Sequence, residues 1–328
     1  AGLASSNSGN VSVSQFNGLT LDNPNYTLAG AQGTVNVLSV SQINLQSLTN
    51  SEISNLISSQ LANLTSYQLG NLSSAQLQLF TPALLTAISP SQMSGLSASQ
   101  LSSLSAAQVA GMSSGQLSIL TPQQLSGITA DQISNLSPAQ LQALTPAQLS
   151  NLDVQQVAAL SPVQLASLSN AQLQSLSGGQ VAGLSPTQLA SLSAPQVAVI
   201  SALGNFSSNQ IAQLSPAQLN VVSTTQLSQL QSNQLASLTL DQLESLSVSQ
   251  IAALAPSALS GLAPAQVTAL SALQVQSLTP NQLASLSPSQ LNNFSGTQLQ
   301  SLSSQQIASL SAQQLGAIDA SQISFLSP

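Results

Sequence analysis

The side chains that do most protein chemistry are nearly missing from this chain. It has no Lys, Arg, His or Cys, and seven carboxylates are its only charged side chains, giving a formal net charge of −7 over 328 residues. They are Asp22, Glu52, Asp131, Asp153, Asp241, Glu244 and Asp319. Only Asp241 and Glu244 have a spacing that suggests a site. Three residues apart on one helix, they resemble the carboxylate pair that glycoside hydrolysis needs. A solvated helix face with an acid in its first turn accounts for them more simply, and that is the expectation here. No D-x-[DN]-x-[DN]-G loop offers a calcium site. No catalytic, cofactor-binding or metal-ligating residue is therefore assigned, no cofactor is expected, and the chain is not expected to be an enzyme.

The absent residues exclude further classes. Without cations nothing neutralises phosphates, so nucleic acid is not an expected partner, nor is an anionic lipid surface. Without His or Cys, the usual ligands of zinc, haem and iron–sulfur clusters are lacking. The chain is nevertheless 42% hydrophobic, so it must bury its Leu side chains rather than remain disordered. No run of eighteen apolar residues provides a transmembrane segment. The start Ala1-Gly2-Leu3-Ala4, without Met, reads as a mature N-terminus left by a removed signal peptide, and hence as secretion.

The elements that hold these residues are internal repeats. From Leu48 the chain reads in eights, as in Leu136-Ser137-Pro138-Ala139-Gln140-Leu141-Gln142-Ala143. Position one is Leu or another large apolar residue, position two Ser or Thr, position three often Pro. Position five is Gln and position six is aliphatic. Nineteen octads run from Leu48 to Val199 and fifteen from Phe206 to Phe325, and position five is Gln in thirty-one of these thirty-four, with Glu52, Leu84 and Ala258 the exceptions. Between the blocks, Ile200 to Asn205 is a six-residue unit that slips the phase.

Each octad opens like a helix. Ser or Thr at position two is an N-cap, Pro at position three sits at N1 where its missing N–H costs nothing, and Gln at position five falls at N3. That is the capping box, S/T-x-x-Q. Thirteen of the fifteen prolines hold position three, Pro24 and Pro195 excepted. The acids obey the same logic. Asp153 and Asp319 stand at the N-cap, Asp131 and Asp241 at N2, and Glu52 at N3, all places where the helix dipole favours an anion.

The apolar spacing sets the fold class. Position six and the next position one, such as Leu141 and Leu144, share a helix face. A strand would place them on opposite faces. One continuous helix would lose its apolar stripe, because eight residues leave roughly 80° of drift per unit. Helices of two turns are unstable alone, so the octads must stack. The expected fold is mainly α, a solenoid or superhelix of very short helices with positions one and six inward. Either two or three octads per superhelical turn fits.

Residues 1–37 differ. Asn10–Ser14 and Thr34–Val37 alternate as strands do, and Asp22-Asn23-Pro24-Asn25 reads as a turn between them. This β-rich segment is either a cap over the solenoid end or an arm that pairs with another subunit. The expected organisation is residues 1–37 as this segment, 38–200 as a first octad block, 201–205 as the slip, and 206–328 as a second block. An early octad starts at Leu38, with Gln46 and Ser47 as extra residues before Leu48.

Other motifs carry weaker signals. Sequons occur at Asn10, Asn25, Asn63, Asn71, Asn135, Asn205 and Asn293, and a chain rich in Asn, Leu and Ser also produces them by chance. Met93 and Met112 occupy inward positions, while Tyr26 and Tyr67 are isolated. The recurrent Gln is either a local capping residue or the rung of an amide ladder along the solenoid.

The unit L-S/T-P-x-Q-L-x-x, over residues 38–328, resembles the octads of mesothelin-type extracellular proteins, and also L-T-x-x-Q-I/V-x-x repeats of bacterial surface and adhesin-like proteins. Both resemblances imply an extracellular, cell-surface setting. The first functional expectation is a structural subunit of an extracellular filament, sheath or surface layer. It would be a head-to-tail homopolymer joined through the N-terminal segment and the open repeat at Pro328. The alternative is an adhesin or surface-binding module that presents rows of Ser, Thr and Gln to a glycan, mineral or ice. A chain with so few titrating groups should also keep its fold over a wide range of pH and salt.

Overall fold

The computed structural model describes residues 9–12, 26–29, 34–39, 50–54, 56, 58–200 and 203–326. The chain divides into two compact units, Ala1–Ala159 and Leu160–Pro328. Among the described residues, both units are built of α-helices only four to six residues long, one per octad.

In the first unit, three short strands form an antiparallel sheet in the order β1 (Gly9–Ser12), β3 (Thr34–Ser39), β2 (Tyr26–Ala29). Val11 pairs with Val35, and Leu28 with Val37. Two features depart from expectation. Tyr26–Ala29 forms a strand that the sequence pattern does not predict. β3 also runs on through Leu38 and Ser39, because Thr27 and Tyr26 pair with them. The sequence pattern places those two residues at the start of the early octad. The ladder satisfies their backbone groups locally, where a lone helix start gains little. The predicted turn at Asp22–Asn25 lies outside the described residues.

Helix Asn50–Ser54 begins the octads. In this unit every third helix stacks. Ser66–Gly70 packs on Pro90–Met93, Ser74–Leu77 on Ala98–Ser103, and Ser114–Ser118 on Pro138–Ala143. A superhelical turn is therefore three octads. Positions one and six fill the interior, with Leu117, Leu125, Ile128 and Ile133 among its fully buried side chains. Each such residue contributes about 1.5–3 kcal/mol of burial.

The second unit repeats this arrangement. Pro216–Asn220 packs on Leu240–Ser245, and Thr224–Leu227 on Val248–Ala253. The six-residue unit lies inside it as a 3-10 turn, Leu203–Asn205. That turn stacks on Gly178–Ala182 behind it and on Thr224–Leu227 ahead. It thus fills one helix place, and Leu203 keeps the inward position at 1% exposure. The phase slips in sequence but not in space. Toward the last helices the core thins, and Leu315, Ile323 and Phe325 are 40%, 54% and 38% exposed.

Candidate functional site

The helix ends are where this chain concentrates its polar chemistry. A helix of five residues consists almost entirely of termini, whose N–H and C=O groups lack partners in the helix. In most octads the N-terminal end is closed by the complete capping box. Thr121 is representative. Its Oγ1 accepts the Gln124 N–H at 3.2 Å, and its own N–H donates to Gln124 Oε1 at 3.0 Å. Proline stands at N1 as expected, for instance Pro122 in helix Pro122–Leu125.

The same Gln side chain has a second role. Gln124 Nε2 donates at 2.8 Å to the carbonyls of both Met93 and Leu96. These lie 31 and 28 residues earlier, at the C-terminal end of a helix in the preceding turn. With the Thr121 hydroxyl also donating to Oε1 at 3.1 Å, this amide makes the four hydrogen bonds open to it. Gln108 repeats the pattern to Leu77 and Phe80, and Gln116 to Leu85 and Ile88. In the second unit, so do Gln282 to Ile251 and Leu254, and Gln298 to Val267 and Leu270. The two readings of Gln both hold, with one change. The inter-turn rungs run from amide to backbone carbonyl, not from amide to amide.

The slip tests this bonding. Gln210, Gln218 and Gln226 reach back to Leu184, Leu192 and Ile200, each 26 residues away instead of 28. By Gln234 the target is Phe206, again 28 residues back. Two residues are lost and no rung is.

Small hydroxyls and amides close the remaining carbonyls. Ser at position seven donates to the carbonyl three residues back, as Ser150 does to Ala147 at 2.9 Å. Ser at position eight does likewise, as Ser175 does to Gln172 at 2.7 Å. Asn at position eight reaches four back, as Asn151 does to Ala147. Among the described residues no buried side-chain N or O is left without a hydrogen-bond partner.

The residues singled out in sequence take their places in this scheme. Asp153 caps its helix, accepting from Gln156 N–H at 2.7 Å. Asp319 occupies a cap without making that bond, although its N–H donates to Gln322 Oε1. Asp131 and Asp241 lie in the first turns of their helices. Asp241 and Glu244 share helix Leu240–Ser245, both exposed. Among the described residues no group of three or more His, Cys, Asp or Glu could hold a metal ion. Asp22 and the side chain of Glu52 lie outside the described residues. Met93 and Met112 are buried in the core, and Tyr67 is exposed. The sequon residues Asn71, Asn135 and Asn293 donate to carbonyls four residues back. Their +2 residues, Ser73, Ser137 and Ser295, are N-caps.

One groove, of about 420 Å³, opens in the first unit beside Ser99, Ser102, Ser126, Thr129 and Asp153. Gly127, where two turns approach closely, is among the residues that line it. A Cβ on Gly127 would stand 2.2 Å from the Ala98 carbonyl oxygen. The groove's wall mixes the apolar Ala98, Ile128 and Ala130 with hydroxyls, amides and the single carboxylate of Asp153.

No protein-family model matches the chain, and no curated protein matches it. No helix among the described residues is long and apolar enough to cross a membrane.

Proposed function

We propose that the protein is a structural subunit of an extracellular filament, sheath or surface layer, associating head-to-tail with copies of itself. The observation that carries this reading is the commitment of the polar side chains to the chain's own helix ends. Gln, Ser, Thr and Asn close each octad and tie it to the turn behind it. A sequence uniform enough to do this at every turn serves continuity of structure more than discrimination of a ligand. The near absence of charge also favours association, since surfaces close to neutrality repel one another weakly. The extracellular setting rests on the resemblance of the octad to mesothelin-type and bacterial surface repeats.

Negative-stain electron microscopy of concentrated protein, with light scattering in parallel, tests the proposal. Fibres or sheets are the expected result. A chain that stays monomeric at every attainable concentration, with no ordered assembly, overturns it.

The second reading is an adhesin or surface-binding module for glycan, mineral or ice. The groove beside Asp153 favours the glycan form of it. Rows of free hydroxyls support it less, because the position-two and position-seven hydroxyls already serve helix ends. Retention of the protein on insoluble polysaccharide, lost in Asp153→Ser, would favour this reading over assembly.

A further inference from the structure

The inter-turn rungs are not equally distributed, and at one place a missing rung coincides with missing caps. In the second unit, the turn of residues 254–277 meets the preceding turn, 230–253. Two of the three expected rungs are present: Gln266 donates to Leu235 and Leu238, and Gln274 to Leu243 and Leu246. The third position is Ala258, buried at 1% exposure, with no amide to offer. The repeat spacing of 31 and 28 residues assigns it the carbonyls of Leu227 and Leu230.

The caps fail at the same place. Octad 254–261 has Ala255 at its N-cap, which makes no side-chain bond. Ala263 heads the next octad and has no hydroxyl, so only its N–H bonds, to Gln266 Oε1. Across the seam Gln231 replaces Ser or Thr at the N-cap and makes no side-chain cap bond. In the first unit Leu84 likewise drops one rung, but there Thr81 still caps Leu84 N–H at 3.2 Å.

The deficit has a direction. The turn that follows holds octad 254–261 normally. Gln290 donates to Leu259 and Leu262, and Ser285 Oγ to Pro256. Toward the preceding turn, the octad keeps apolar packing and the close approach of Gly261 to the backbone of Ser232.

We infer that the boundary between residues 230–253 and 254–277 is a yielding seam, at which the second unit opens before the turns on either side of it. In a solenoid each turn is held by its neighbours alone, so a missing rung weakens one interface without relief from elsewhere. Local opening of this kind sets amide exchange rates. One hydrogen bond of ordinary strength, about 1.4 kcal/mol, changes such a rate about tenfold.

Hydrogen exchange of the full chain, read by mass spectrometry, tests this. Peptides covering 227–235 and 255–263 should exchange about tenfold faster than peptides covering 211–219 and 279–287. Ala258→Gln should restore the rung and slow the seam. Ala255→Ser, at a half-exposed cap where overpacking is not at issue, should slow it independently. Gln242→Ala, which removes the rung onto the Ile211 and Leu214 carbonyls, should create a second fast segment at 211–219. Equal protection at all four segments overturns the inference. So does a fast seam that neither restoring variant slows.

Discussion

At the residue scale the chain turns on one side chain in two roles. Gln116 is 1% exposed. Its Oε1 accepts the Ser113 N–H at 2.7 Å, and its Nε2 donates to the Leu85 and Ile88 carbonyls at 2.7 and 2.6 Å. Gln116→Ala removes the Gln partner of the Ser113 N–H and the Ile88 carbonyl and leaves the Leu85 carbonyl with the Ile88 N–H alone, and each bond left unmade away from water costs about 1–3 kcal/mol. We expect a loss of at least about 2 kcal/mol in urea unfolding of the first unit. Ser113→Ala, which removes only the cap at the rim, should cost about 1 kcal/mol. Gln116→Glu separates shape from hydrogen-bonding sense. It would aim a carboxylate at two carbonyl oxygens, which disfavours the anion and raises the folded-state pKa above the unfolded value of about 4.3. The native state then binds more protons than the unfolded state, so stability is greatest at low pH and falls as pH rises through the folded pKa. The urea midpoint of this variant should climb as pH is lowered from 7 toward 4. A midpoint as flat as that of the unaltered chain would refute the assigned geometry.

At the element scale the helices are set by their ends and spaced by position eight. A Cβ on Gly95 would stand 1.8 Å from the Ser66 carbonyl oxygen, a backbone contact that cannot yield by side-chain rotation. Gly95→Ala should therefore separate two turns and cost about 2 kcal/mol or more. In the next octad Ser103→Ala removes only the bond to the Gln100 carbonyl and should cost less than about 1 kcal/mol. Thermal melts of the two variants compare them directly. What could be read from sequence divides along the same line. The caps, the N1 prolines, the inward positions and the placing of Asp131 and Asp153 were legible because each is decided within eight residues. The three-octad turn was not, since nothing in one octad states the angle to the next. Nor were the acceptors of the second Gln bond, backbone carbonyls 28 and 31 positions away rather than other amides. Tyr26–Ala29 escaped notice because four residues show too little alternation, and it forms only by pairing with Thr34–Ser39. The groove at Gly127 was illegible for a further reason, since it exists only between turns.

At the scale of the whole molecule, stability is close to a sum over like units and like interfaces. Hydrophobic burial and neutral hydrogen bonds supply it. With no Lys, Arg, His or Cys, no side-chain type present has its ordinary titration range between about pH 5 and 9. Far-UV circular dichroism should stay constant across that interval and from low salt to about 1 M, where screening is nearly complete. A sigmoidal loss of helix inside that interval would show that ionic contacts hold the fold after all. The six-residue unit at Ile200–Asn205 has a consequence of another kind. Because Gln210, Gln218 and Gln226 keep their carbonyl partners across it, the molecule counts helices, not residues. Unequal recombination between tandem copies of its coding sequence would add or remove whole octads without disturbing the reading frame, and each glutamine downstream would still meet carbonyls at the same two positions of the repeat. A change in chain length of that kind would leave the helix-end chemistry of every remaining octad intact.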